Sequence, residues 1–206
     1  MYIVLMAMLA LNISTEVLNG FSIVEESLNR TTANTSSENE AIYGDFKDQM
    51  AANPEKVRAW FEKATEVKRM SDSLYNFAQE LKVAIVKEAD GPKGDVLHIE
   101  NTDNLDAAGT VMLAPITGKG QKLYDAINSY RERILTYIAD PQQRKIISSN
   151  LSTAVPKRPN TLGKNWQEYM FENMPVAAAV TLLSTLQNDV RSAEADVPHT
   201  LVSNVA

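Results

Sequence analysis

The chain has 206 residues, 44% of them hydrophobic, and a net charge of −6; it can bury a sizeable core and suggests one domain, with room for an appendage. No basic cluster interrupts the acidic balance, which argues against a nucleic-acid partner, because phosphate binding needs a concentrated Lys/Arg face. There is no cysteine, so disulfides, thiolate nucleophiles and Cys-based metal sites are excluded.

Met1 to Leu11 carries no charge and no strongly polar side chain. Read as a helix through Ile13 it is roughly 20 Å long, too short to cross a hydrocarbon core of ~30 Å. No Lys or Arg precedes the run and no convincing small-residue cleavage site follows it, which argues against a signal peptide. A buried core helix remains one reading. The expectation carried forward is a single transmembrane helix over residues 1–20 whose start lies upstream of Met1. It continues unbroken into a helical domain over residues 21–206.

Spacing supports that choice. Ile3, Ala7, Ala10, Ser14, Val17, Phe21, Val24 and Leu28 follow one another at alternating steps of four and three. This seven-residue repeat is the pattern of a helix that packs along one seam, and beyond the apolar run it avoids Glu16, Asn19, Glu25 and Glu26. The seam is small at Ala7, Ala10 and Ser14, where lipid lets helices approach closely. It turns bulky from Val17 to Leu28, where burial from water drives association. Gly20 interrupts it as a flexible point or a tolerated glycine.

Arg30 to Asn39 is rich in Thr, Ser and Asn without apolar periodicity and reads as a loop; a short helix over 40–51 follows. Asn53 and Pro54 then open a long helix, with a capping amide and proline at the first helical position. Its stripe is Val57, Trp60, Ala64, Val67, Ser71, Leu74, Ala78, Leu81 and Ile85, and Asp90, Gly91 and Pro92 end it. Residues 93–120 are the least helical. A helix over 121–139 carries Leu123, Ile127, Tyr130, Ile134 and Tyr137 on one face, and Asp140 with Pro141 caps a continuation to about Leu151. Residues 152–164 read as a loop. The last helix runs from about Pro175 to Val197 through Val176, Val180, Leu183, Gln187 and Val190, and Pro198 is expected to end or kink it. Nothing alternates with a period of two, so the fold class is all-α, an antiparallel helical bundle attached to the anchor.

The motifs carry little chemistry. Gly118, Lys119 and Gly120 lack the first glycine and the Ser/Thr of a phosphate loop and read as a helix-opening turn. Asp103 to Asp106 is too short for the spaced oxygen ligands of a calcium loop. His98 and His199 stand far apart and read as solvent-facing imidazoles rather than zinc ligands. With no nucleophile–base pair and no carboxylates paired in an apolar setting, no enzyme, catalytic residue, metal or cofactor is expected.

Several stretches, in order along almost the whole chain, resemble one family. They are the opening Met1 to Phe21, then Asn53 to Val57, then Asp103 to Asp106 with Val111 to Leu113 and Gly118 to Gly120, and finally Phe171 to Pro175 leading into Leu186 to Arg191. Together they are similar to the GldM/PorM proteins of gliding Bacteroidota and their type IX secretion system. The resemblance implies a homodimeric, single-pass inner-membrane protein with its bulk in the periplasm. A GldL/PorL-like membrane partner would surround the paired anchors and convert the proton-motive force into motion. Outer-membrane secretion components would be reached through C-terminal domains that lie beyond Ala206. Tyr2 matches a tyrosine of the family's anchor, which implies a partner contact there. The family's arginine near the start of the anchor would lie before Met1. The alternative is a membrane-tethered helical module that binds cargo or an envelope partner, with the anchor as a leash.

Overall fold

The computed structural model describes residues 13–205. Three long helices dominate it: α1 (Thr15–Ala52), α2 (Pro54–Asp90) and α7 (Val176–Val205). Between α2 and α7 the chain makes an excursion through four short helices, α3 (Ala107–Leu113), α4 (Gly120–Leu135), α5 (Pro141–Asn150) and α6 (Trp166–Phe171). No strand forms among the described residues, so they are all-helical as the periodicity predicts.

Asn53 folds the first two helices back on each other. Its N–H donates to the Gln49 carbonyl at 2.9 Å to close α1, while its side-chain oxygen accepts from the Lys56 N–H at 3.3 Å to open α2. One residue thus satisfies groups at both helix ends, and Pro54 supplies a preset φ where no N–H is needed. Gly91, at φ 92°, closes α2 at the predicted boundary.

The stripe expected on α2 is the core of the molecule. Val57, Ala64, Val67, Ser71, Leu74, Ala78, Leu81 and Ile85 are all buried, and Trp60 is half-buried. On α4, Leu123, Ile127, Tyr130 and Ile134 are buried, and Tyr137 lies half-buried just past the helix end. Helix α7 packs broadly against both α1 and α2. Cross-links from α7 climb α1 in parallel, from Ser184 with Glu25 to Arg191 with Asn39, and descend α2, from Gln187 with Lys82 to Glu194 with Ser71. The bundle is therefore mixed: α2 runs antiparallel to both other long helices, which run parallel to each other.

Four boundaries differ from expectation, the smallest difference being at α4, which ends at Leu135 rather than at 139. Residues 30–39, expected as a loop, lie in the middle of α1. The bundle-facing positions of that helix are Phe21, Glu25, Leu28, Thr32, Thr35, Asn39, Ile42 and Phe46, all buried or half-buried. Polar residues occupy the central ones because they meet polar partners on α7, so the apolar signal lapses while the helix continues. Second, Ser14 is extended (φ −67°, ψ 148°) and its hydroxyl accepts from the Val17 N–H at 3.2 Å. It is an N-cap, so among the described residues the helix starts at Thr15 rather than running through Ser14. Third, α7 passes through Pro198 to Val205 instead of ending there. Proline removes the N–H owed to the carbonyl of Glu194, a local loss that the packed helix tolerates.

Gly118 and Gly120 open α4 for a steric reason. A Cβ at Gly118 would lie 2.5 Å from the Ala114 carbonyl oxygen, and one at Gly120 2.7 Å from both Met112 O and Gln167 Cγ. Close backbone approach, not phosphate binding, accounts for this glycine pair.

Candidate interaction site

Helix α1 is 38 residues long, about 57 Å at 1.5 Å per residue. Its first turns carry the part of the predicted seam that the structure describes. Ser14 is the N-cap; Val17 and Val24 are 51% and 47% exposed, while Phe21 and Leu28 are half-buried. The two sets lie on adjoining faces. Phe21 and Leu28 belong to the stripe turned toward the bundle, and Val17 and Val24 sit one position away from it, open to solvent beside Ile23. Ile3, Ala7 and Ala10 of the seam, and Tyr2, lie outside the described residues, as does the apolar run. Among the described residues no helix is long and apolar enough to cross a membrane.

What holds α1 to the bundle is polar, in two layers that sequence reasoning missed. In the first, Lys82, with a side chain only 3% exposed, lies 3.2 Å from Glu25 Oε1 and donates to Gln187 Oε1 at 3.1 Å. The same Glu25 oxygen accepts from the Ser184 hydroxyl at 2.6 Å and from the Asn29 amide at 3.3 Å. Gln187 is itself fixed by donating to the Tyr75 carbonyl and to Gln79.

In the second layer Glu194, 1% exposed, accepts from the Ser71 hydroxyl at 2.6 Å, the Tyr43 hydroxyl at 3.1 Å, Arg191 at 3.2 Å and Asn39 at 3.3 Å. Arg191 also donates to Asp72 at 2.7 Å and stacks over the Tyr75 ring at 4.3 Å. Burial pushes the Glu194 carboxyl above its ordinary value, against the hydrogen bond from Ser71 and the charge of Arg191. Asp72 goes the other way: burial pulls it up, but the hydrogen bonds from Arg191 and Lys68 outweigh burial and hold it low.

Each layer ties α1, α2 and α7 together at one height. Sliding or rotating α1 against α7 would strand several buried polar groups at once, each costly without a partner. A buried ion pair is weak evidence for stability, but it fixes which residues face one another. The signal was present in sequence. Ser71 stands within the α2 stripe, and Gln187 and Glu194 fall on the α7 stripe of Val176, Val180, Leu183, Val190 and Val197.

His98 and His199 are exposed, His98 with Nδ1 3.0 Å from Asp95. Among the described residues no group of three or more His, Asp or Glu side chains is placed to hold a metal ion.

Three long helices locked at two polar layers, one of them presenting an open apolar edge at its N-terminal end, define an all-helical bundle domain. The profile of the GldM N-terminal domain matches residues 16–204, and the chain belongs to the GldM family. That membership makes it a gliding-motility and type IX secretion component. No curated protein matches the chain.

Proposed function

We propose that the chain is a non-enzymatic subunit of an inner-membrane motor driven by the proton-motive force, which transmits motion through the periplasm to power type IX secretion and gliding. The observation that carries this reading is α1 itself: a long uninterrupted helix, locked to the bundle, with Val17, Ile23 and Val24 exposed at its N-terminal end. A connection that passes displacement must not slip, and the polar layers around Glu25 and Glu194 oppose slip.

On this reading the apolar run is the lower part of a transmembrane anchor. Two copies pair along the seam where it is free of the bundle, through Ile3, Ala7 and Ala10 of the apolar run and through Val17 and Val24 of α1, while Phe21 and Leu28 pack toward the bundle. A GldL/PorL-like partner surrounds the anchors, with Tyr2 as one contact, and the bundle lies in the periplasm. Outer-membrane secretion components are reached through domains outside this sequence.

Exchanging the anchor for an unrelated membrane helix tests the motor reading. Secretion should be abolished at normal protein level. Preserved secretion would overturn the reading and leave a tethered binding module in its place.

A further inference from the structure

On the side of α7 away from α1 and α2 lies a pocket of about 240 Å³, walled by α4, α6 and the segment 150–156. Its floor is apolar, with Leu123, Ile127, Trp166, Met170 and Phe171, and α7 contributes Leu182, Leu186 and Asp189 along one face. The walls are held in place without an occupant. Trp166 meets Phe171 edge-on at 6.1 Å and Tyr124 at 6.0 Å. Arg131 donates to the Leu151 carbonyl at 2.8 Å, and Thr153 to Asn128 at 2.7 Å, so the 150–156 segment is pinned to α4. Asn150, Ser152, Ala154 and Thr185 form an exposed rim.

Asp189 is the anomaly in this pocket. Its neighbours on α7 are all accounted for: Gln187 holds Lys82, Asn188 accepts from Thr32, the Val190 carbonyl accepts from Tyr130, and Arg191 holds Asp72. Asp189 is half-buried and has neither a hydrogen bond nor an ion pair among the described residues. No cationic side chain from α4, α6 or the 150–156 segment lines the pocket, and Tyr169 is the one other titratable group there. Burial alone pushes the Asp189 carboxyl up to about 6. A carboxylate left this way in an apolar recess is complementary to a cation brought from outside.

The volume indicates what carries that cation. Small-molecule sites occupy roughly 300–1,000 Å³, so this pocket is below that range and suits one large side chain with part of its neighbour. A preformed apolar pocket of that size, with one charge at its edge, has the form of an anchor site at a protein interface.

We propose that this pocket docks a polypeptide partner through one large apolar side chain seated against Trp166 and Phe171, with an adjacent Lys or Arg paired to Asp189. The site is independent of the anchor and of the motor reading.

The test uses the full chain in nonionic detergent, labelled with 5-fluorotryptophan. Trp166 lines the pocket and Trp60 does not, so their two fluorine resonances, assigned with Trp60→Phe, give a reporter and an internal control. The probes are acetyl-Gly-Phe-Lys-Gly-amide and the same peptide with Gln or Glu in place of Lys. The Lys peptide should shift the Trp166 resonance saturably and leave Trp60 unmoved. The Gln peptide should bind about five- to tenfold more weakly, as expected for losing one partly exposed charge-assisted contact, and the Glu peptide more weakly still.

Asp189→Asn should make the Lys and Gln peptides equivalent. In the unmodified chain the Lys preference should likewise vanish at pH 4.5, where Asp189 is protonated, a measurement that needs no variant. Equal binding of the three peptides, a Lys preference that survives both Asp189→Asn and low pH, or parallel shifts of Trp60 would overturn the proposal. Tighter binding of free 2-phenylethylammonium than of the Lys peptide would overturn the assignment to a polypeptide.

Discussion

Removing Lys82 tests whether the first polar layer locks α1 to the bundle. The ammonium is almost fully buried and touches Glu25 at 3.2 Å and Gln187 at 3.1 Å. Lys82→Met keeps most of the side-chain volume but leaves Glu25 with a charge and only the Ser184 and Asn29 donors. Stranding one member of a buried pair costs about 3–5 kcal/mol, and the two remaining donors place this case near the lower end. At about 2–4 °C per kcal/mol for a chain of this size, the melting temperature should fall by roughly 6–12 °C. Glu25→Gln should also destabilise, by leaving the buried ammonium without its counter-charge. The double variant should recover much of the loss, since neither charge is then buried alone. The assay is urea or thermal unfolding of all four proteins, read as a double-mutant cycle. If both single variants lay within about 0.5 kcal/mol of the parent, or if the double variant showed the full sum of the two losses, the locking argument would be wrong.

Four further substitutions separate other parts of the account. The carboxyl of Asp189 has a folded-state pKa of about 6 against an ordinary 3.8, so the folded chain holds the proton more tightly and stability falls as pH rises through that window. Asp189→Asn should therefore be more stable than the parent at pH 7.5, by about 1–2 kcal/mol after allowance for partial exposure, with the advantage gone by pH 4; paired urea titrations at the two pH values measure it. Gly120→Ala should lower the melting temperature, because its Cβ meets Met112 O and Gln167 Cγ at 2.7 Å, whereas Gly20→Ala, with nothing within 4 Å, should gain about 1 kcal/mol of helix propensity. Asn53→Ala removes the side-chain cap of α2 and should cost about 1 kcal/mol in the same unfolding assay.

The parts of the fold legible in sequence were those where packing is apolar and the caps are strong. The α2 stripe from Val57 to Ile85, its start at Asn53 and Pro54, and its end at Gly91 all follow from spacing and turn chemistry. The centre of α1 did not, because Thr32 and Asn39 face Asn188 and Glu194 rather than an apolar core, and hydropathy periodicity cannot register a helix that packs through polar side chains. Pro198 misled in the opposite direction: a helix already packed against two others absorbs one missing hydrogen bond. The polar layers were half visible, as Ser71, Gln187 and Glu194 standing on otherwise apolar stripes. Their partners were not, since Lys82 and Glu25 come together from residues 57 positions apart and only the folded arrangement of α1, α2 and α7 joins them.

The sequence seam and the bundle face of α1 share Phe21 and Leu28 but diverge at Val17 and Val24, and that divergence defines the decisive experiment. Single cysteines at Val17 and Val24, on the open edge, and at Glu16 and Glu26, off the seam, can be oxidised in membranes of cells making the full-length protein. The account predicts disulfide-linked dimers at Val17 and Val24 and few at Glu16 or Glu26. Dimers absent at Val17 and Val24, or equally abundant at all four positions, would contradict the pairing of two copies along the open edge of α1.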